Sequence, residues 1–549
     1  MRAWMVKSSY YDMSLFALCA VLGLLRWGRE SGVAFRAVLR VRAVGILAAG
    51  VLCAAVFVSV PPRLRVLPDE TVLMAVSRSM TFDKTVEVTT DAQRYFETMY
   101  PENVVFELQP RPHLFPYLLS ILHTTIGYRV ANAFVLNFLV LWALLALVYI
   151  WTRESLEEAG NDGVFSEAGA LSAMLLIVSQ PVLTLSATSG GFDLLSAFCV
   201  LASLRLLRTF LRTPTAARFE ALWIALLAVS SVRYEGAIYL AVVLAGLLAF
   251  RCVRAEHLKG SAVFALTPVF LLPHLWQRIL VADMFHPAAG QAVCSPSILL
   301  ANTASFLRTA LGTDAQLPYA ALVNLLGFGA ALYFLAAEAR DWSRPQEGDG
   351  RAPARRFALI AAASLLAHFT VLASFFFSMP DSPSASRYFA LFAAVLSWLT
   401  VFFMARWNFF RQRPAVLLLV AASAFLLYHP TAMEDRAGRS LALPREHEAV
   451  MDFLKDKKDF LVIADNPSLY TVYGYGAVGF RFTKEHAADL LARFSTRLFA
   501  DIYVIQEIDL KTGAPIPWQV LPPGFTLEPV RELRTRVLSA MRISRMRRG

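Results

Sequence analysis

Apolar runs of about 20 residues, separated by short stretches rich in arginine, constrain this chain more than any other feature. A hydrocarbon core ~30 Å thick is crossed by about 20 residues of helix. Because it holds no water for a bare backbone, such runs must be helices. The runs fall at 10–27, 43–60, 130–151, 167–187, 190–207, 219–233, 234–250, 261–280, 319–337, 357–378, 387–404 and 415–430. Hydrophobic residues make up 57% of the chain and charged residues 17%, against roughly 45–50% and about 25% in soluble domains. The expected fold is an all-α polytopic membrane protein of about 12 transmembrane helices, with a small C-terminal α/β domain.

Loop charge orients the spans. Segment 28–42 carries Arg29, Arg36, Arg40 and Arg42, which assigns it to the cytoplasm. Alternation then puts 208–218, 251–260, 338–356 and 405–414 inside, and each is rich in Arg or Lys. Loop 152–166 is also inside by this count, although it holds Glu154, Glu157, Glu158 and Asp162; acidic residues weigh little in the rule. The net charge of +11 is thus a topology signal. No basic soluble module is visible, so nucleic acid is not an expected partner. The five cysteines are Cys19, Cys53, Cys199, Cys252 and Cys294. They show neither metal-ligand spacing nor a disulfide framework.

Three regions then face outward. The first is a polar loop over 61–129, within which 113–126 is apolar but short and is expected to lie at the interface or re-enter. The second is 281–318, with an amphipathic stretch at 297–311. The third begins near 431, where the pattern becomes soluble α/β. Strands are expected at Phe460–Ala464, Ile502–Ile505 and Phe525–Leu533, and a helix at 484–498. The basic end, Arg542 to Arg548, reads as a solvated or headgroup-facing tail. The expected units are an N-terminal helix and basic loop at 1–42, a membrane domain at 43–430, and an extracytoplasmic domain at 431–549.

This topology gathers ionisable residues that are far apart in sequence. Asp69 and Glu70 follow the second run. Arg111 and His113 lie in Gln109-Pro-Arg-Pro-His-Leu-Phe-Pro116, and Asp193 closes Ser189-Gly-Gly-Phe-Asp193. Arg233 and Glu235 form a turn between two runs, and Arg387-Tyr388 opens a late one. All reach the outer membrane–water boundary, where ionisable groups tend to line pathways or sites. A carboxylate can take a proton from an attacking acceptor hydroxyl, and arginines can hold a departing lipid phosphate. The donor such a cleft fits is a sugar on a polyprenyl phosphate. No Gly-rich phosphate loop for a nucleotide sugar is visible.

These motifs, in this order, resemble the integral-membrane glycosyltransferases of the C superfamily. The likeness is greatest to the branch holding protein O-mannosyltransferases and lipid A aminoarabinose transferases. An acidic residue or pair in the first outer loop, just after a transmembrane helix, is the family's catalytic signature, and Leu67-Pro-Asp-Glu-Thr71 matches it. Arg111-Pro-His-Leu-Phe-Pro-Tyr-Leu-Leu119 is similar to the family's Pro-rich lead into an interfacial helix. Phe192-Asp-Leu-Leu-Ser-Ala-Phe198 and Arg387-Tyr-Phe389 match two later motifs. The resemblance covers about residues 43–430. The turn Arg233-Tyr-Glu235 departs from the Lys-Gly common in relatives, segment 110–116 has Arg and His in place of Lys, and 1–42 is extra.

The resemblance implies an inverting transfer to a glycan, lipid or protein acceptor at the outer face of the cytoplasmic membrane. Asp69 would be the general base with Glu70 beside it, and Asp193 would position the acceptor or share a metal. Arg233 and Arg387 would hold the donor phosphate with help from Arg111 or His113, and Tyr388 and Glu235 would line the substrate. The cofactor is open, with Mg²⁺ or Mn²⁺ as candidates where carboxylates face each other. Three other readings stay open: a transporter or flippase of lipid-linked sugars, an O-antigen ligase or polymerase, and a membrane-anchored scaffold.

Overall fold

The computed structural model describes residues 2–30, 35–89, 106–108, 111–280, 292–312, 320–342, 352–381, 385–440, 442–495, 500–534 and 538–547. Gln109 and Pro110, the middle of loop 338–356 and residues 281–291 lie outside them. Each apolar run coincides with helix. The main helices are α1 (Arg2–Glu30), α2 (Phe35–Ser59), α3 (Leu67–Phe82), α4 (Leu114–Ile126), α5 (Asn132–Glu158), α6 (Gly163–Val178), α7 (Pro181–Ala187), α8 (Asp193–Arg212), α9 (Ala216–Val232) and α10 (Ala237–Ala249). After two short helical turns come α11 (Thr267–Leu280), α12 (Pro296–Ala310), α13 (Ala321–Trp342), α14 (Ala352–Ser374), α15 (Ala390–Met404), α16 (Pro414–Ser440) and α17 (Ala442–Leu454).

Among the described residues, seven helices are long and apolar enough to cross a membrane, or eight with one bent pair counted as a span. The other expected spans are helices that stop short of that length, such as α9 with 17 residues and the apolar stretches Tyr234–Ala249, Ala262–Gln277 and Pro414–His429. The run at 167–187 is not one straight helix. It bends by 78° between α6 and α7, because Pro181 lacks an N–H and disfavours helix in Gln180 before it. The Gln180 side-chain amide fills the break, donating to Asn324 Oδ1 at 3.0 Å and Ser397 Oγ at 2.8 Å. The expected loop at 28–42 is also largely helix, since α1 extends to Glu30 and α2 begins at Phe35.

The acidic segment after α5 has a physical role that the charge rule leaves out. Glu157 accepts from Arg42 at 3.0 Å and from Arg153 at 2.9 Å, and Glu154 pairs with Arg205 at 2.8 Å. Glu158 is gripped by Arg208 and Arg212. These glutamates neutralise arginines of neighbouring helices at one end of the bundle.

At the other end sits the C-terminal domain. Strands β1 (Glu87–Thr89) and β2 (Phe106–Leu108) form an antiparallel pair between α3 and α4, and β3 (Phe460–Ile463), β4 (Gly476–Val478), β5 (Asp501–Asp509), β6 (Leu527–Leu533) and β7 (Ser539–Met546) form one sheet in the order β4-β3-β5-β7-β6. The β3 pairings are parallel, whereas β7 runs antiparallel to both neighbours. Leu461, Ile463, Ile502 and Val504 pack on one face, and Phe460, Val462, Tyr503 and Ile505 on the other. Burial on both faces explains the unbroken apolar runs of β3 and β5. The expected helix at 484–498 is two short ones, Phe480–Glu485 and Ala487–Ser495. The basic end is not a free tail. Ser539–Met546 lies inside the sheet with Ile543 fully buried, while Arg542 pairs with Glu532 and Arg545 with Asp501.

This domain docks on α3. Thr71 and Ser468 share a hydroxyl–hydroxyl bond of 3.0 Å, and the Tyr128 hydroxyl donates to the Val472 carbonyl at 2.7 Å. Val472 and Leu469 join the apolar core of the helices.

Candidate active site

Helix α3 begins at Leu67-Pro68, a favoured start because the missing proline N–H has no role in a first turn. Asp69 and Glu70 follow in that turn, where helix-dipole charge favours carboxylates. Successive side chains on a helix point about 100° apart, and the neighbours meet different surroundings. Glu70 is fully buried. It accepts from the Arg65 amide at 2.7 Å and the Gly190 amide at 3.2 Å. Burial pushes its carboxyl up to about 6, against the pull of the Arg65 amide and nearby arginines. One oxygen thereby ties α3 to the 188–193 loop, and the other closes the turn that leads into the helix.

Asp69 faces the arginines. Arg111 donates to its Oδ1 and Arg387 to its Oδ2. Burial pushes the Asp69 carboxyl up, but the two guanidiniums outweigh it and hold the group below the usual carboxylate range. Arg387 also reaches Asp193 Oδ2 at 3.4 Å, and Arg233 holds Asp193 Oδ1 at 2.7 Å. Arg233 extends in turn to Glu235 Oε1 at 3.5 Å. Asp69, Asp193 and Glu235 are thus joined by Arg111, Arg387 and Arg233 into one alternating chain of charge. The Tyr388 ring packs under both inner arginines, 4.5 Å from Arg233 Cζ and 5.2 Å from Arg387 Cζ.

Local structure sets these positions. Asp193 is the first residue of α8, and Asn137 of α5 fixes the loop before it by donating to the Ser189 and Gly191 carbonyls at 2.7 and 2.9 Å. Arg233 sits where α9 turns sharply into α10. A side chain at Gly236 would meet the Val229 carbonyl oxygen at 2.2 Å, so only glycine permits this turn. Arg387 and Tyr388 lie in a 3₁₀ turn, Ser386–Phe389, that opens α15.

His113 is buried behind Arg111 and does not touch either carboxylate. Its Nε2 lies 2.7 Å from Gln277 Nε2. Burial, with His274 nearby, pushes its pKa down to about 3, so the imidazole is neutral at physiological pH. The sequence-expected residues therefore converge, but with divided roles: Asp69, Asp193, Arg111, Arg233, Arg387, Tyr388 and Glu235 form the charged cluster, while Glu70 and His113 brace it. Gln277, Tyr234 and Asn137 are further members that sequence reasoning missed. Their signal was polarity within apolar runs.

Asp69 and Asp193 each give both oxygens to guanidiniums, and Arg387 stands between them. Among the described residues no three His, Cys, Asp or Glu side chains converge in a ligating group.

No protein-family model matches the chain, and no curated protein sequence matches it. Among solved structures it is similar to ArnT from Cupriavidus metallidurans in the apo state, with TM-score 0.48 and 14% identity over 91% of this chain and 97% of that one. The same protein bound to undecaprenyl phosphate gives TM-score 0.43 and 13% identity over the same shares. The Archaeoglobus fulgidus oligosaccharyltransferase AglB, in complex with an inhibitory peptide and a dolichol-phosphate, gives TM-score 0.44 and 15% identity over 84% of this chain and 69% of that one.

Proposed function

We propose that this protein is an integral-membrane glycosyltransferase that moves a sugar from a polyprenyl-phosphate donor to a glycan, lipid or protein acceptor at the outer face of the cytoplasmic membrane. One observation carries the reading: an ionised carboxylate, Asp69, clasped by Arg111 and Arg387 at the end of the helix bundle. The acceptor hydroxyl attacks the anomeric carbon from the face opposite the phosphate. Its proton passes to Asp69, the carbon–oxygen bond to phosphate breaks, and the polyprenyl phosphate leaves with the electron pair. A single displacement of this kind inverts the anomeric centre.

The ion pairs that hold Asp69 also weaken it as a base, since its proton affinity lies below that of a free carboxylate. A donor phosphate resolves this by competing for the same guanidiniums. As Arg111 and Arg387 turn toward the phosphate, Asp69 loses its positive neighbours and gains basicity when the acceptor needs it. Arg387 Nε and Arg233 Nε are buried donors with no partner among the described residues, and buried donors normally find an acceptor. Asp193 keeps Arg233 in place and faces the acceptor side.

A transporter of lipid-linked sugars is the second reading, favoured by the break between α6 and α7. The side chains at that break, Gln180, Asn324 and Ser397, are uncharged and bond to one another, and the ionisable groups lie elsewhere. The purified full chain in nanodiscs, supplied with a polyprenyl-phosphate sugar, separates the two. Transfer releases free polyprenyl phosphate, measured by mass spectrometry. Donor carried across vesicles intact, with no release under any acceptor, sinks the enzyme reading.

A further inference from the structure

Behind the charged cluster, one uncharged residue touches two of the three segments that deliver its arginines. Gln277 of α11 is buried. Its Nε2 lies 2.6 Å from the Arg111 carbonyl oxygen, and its Oε1 lies 2.6 Å from the Tyr234 hydroxyl. A carbonyl only accepts, so the atom facing Arg111 must be the amide nitrogen, and Tyr234 must donate to the amide oxygen. The same nitrogen lies 2.7 Å from His113 Nε2. An amide nitrogen offers no lone pair, so His113 Nε2 must accept, and the imidazole proton must sit on Nδ1. That Nδ1 is buried and has no hydrogen-bond partner among the described residues.

We propose that Gln277 is a positioning residue that spans the Arg111 and Arg233 segments and locks His113 as the neutral Nδ1–H tautomer, leaving one buried N–H donor beside the donor-phosphate arginines. The assignment of tautomer stands on hydrogen-bond logic alone; its importance for donor binding rests on the glycosyl-transfer reading. Arg111 carries one clasp of Asp69, and Tyr234 follows Arg233, the clasp of Asp193. Gln277 therefore ties the two segments to each other through the Arg111 carbonyl and the Tyr234 hydroxyl. His113 is neither base nor cation in this arrangement. The groups facing it are Gln277 and His274 of α11, with Arg111 on its own segment and Tyr234 reached through the glutamine.

The test is ¹⁵N-histidine spectroscopy of the full chain in nanodiscs, with His113→Asn used only to assign the signal among the nine histidines. The His113 ring should show a protonated Nδ1 and an unprotonated Nε2, unchanged between about pH 8 and pH 5, consistent with its depressed pKa. Gln277→Glu replaces the amide donor with a carboxylate acceptor, so Nε2 should gain a proton. A wild-type ring protonated at Nε2, or one that titrates in this window, overturns the proposal. So does a folded Gln277→Glu variant with an unchanged ring. If that variant fails to fold, the wild-type spectrum alone decides.

Gln277→Leu supplies the kinetic arm. It should raise donor KM by about tenfold, the size of one hydrogen bond, with a smaller fall in kcat. An unchanged donor KM overturns the positioning role. Asp69→Asn keeps the two ideas apart. Transfer that survives this change defeats the glycosyl-transfer reading and leaves the tautomer to the spectrum. A transfer-dead Asp69→Asn with a wild-type ring protonated at Nε2 defeats the inference alone.

Discussion

Helix α8 carries an arginine–carboxylate cluster at each end, and the two could hardly be more different. At its start, Asp193 is 2% exposed and is held by Arg233 and Arg387, themselves 9% and 10% exposed. At its finish, about 30 Å away, Arg212 and Glu158 are 42% and 39% exposed. The residue types are the same. In the exposed cluster, water and salt screen each pair, and loss of one is absorbed by solvent. In the buried one, each charge depends on its partners, so the cluster cannot rearrange unless another anion replaces a carboxylate. A fixed set of buried charges at the end of a lipid-embedded bundle is suited to chemistry, whereas an exposed set is suited to topology and to holding helix ends together.

The comparison can be broken at several points. The largest effect should come from Asp69→Asn, which keeps the shape and removes the base. Transfer should fall by about 10³-fold, measured as product per protein with donor saturating, while the variant stays in the membrane. Next, Asp193→Ala leaves the buried Arg233 with only the longer Glu235 pair and should cost about 3 kcal/mol, read as a lowered thermal midpoint in detergent. A smaller effect attends Glu70. Its folded pKa of about 6 lies above the ordinary 4.5, so its contribution is fully present below pH 4.5 and is lost as pH rises through 6. The loss amounts to about 2 kcal/mol. Denaturation of Glu70→Gln followed across this window should show the slope removed. Smallest of all, Glu158→Gln should change stability by less than about 1 kcal/mol, with even that difference fading at high salt. Equal effects from Glu158→Gln and Asp193→Ala would erase the distinction between the two ends.

Much of this was legible in sequence, for reasons tied to particular residues. The apolar runs mark helices because lipid leaves the backbone no alternative. Arg42, Arg208 and Arg212 separated the ends of the bundle, and that separation gathered Asp69, Asp193, Arg233 and Arg387. Less local facts stayed hidden. Asp69 and Glu70 look like a pair, yet a turn of about 100° gives one to the arginines and the other to backbone amides. Gln277 is neutral, and nothing in its run shows which groups two other segments will bring to it. The break at Gln180 was veiled by the apolar residues on both sides of it. The strand β7 was masked by composition: in Ser539-Ala-Met-Arg-Ile-Ser-Arg-Met546 the arginines read as a solvated tail, although Ala540, Ile543, Ser544 and Met546 are buried in the sheet.

The position of β7 has a consequence for how the molecule is made. It follows β6 in the chain, yet it lies between β5 and β6. During synthesis, every helix of the bundle emerges before residues 539–546 do. Until then β5 and β6 present open hydrogen-bonding edges, which invite pairing with other chains. The sheet whose β3–β4 connection sets Ser468 against Thr71 of α3 is therefore closed last. A ribosome that stops short of Ser539 leaves a fully inserted bundle whose Asp69 helix lacks its finished cover. Maturation of the site is in this sense a folding event outside the bilayer, timed after the last helix has been delivered to the lipid.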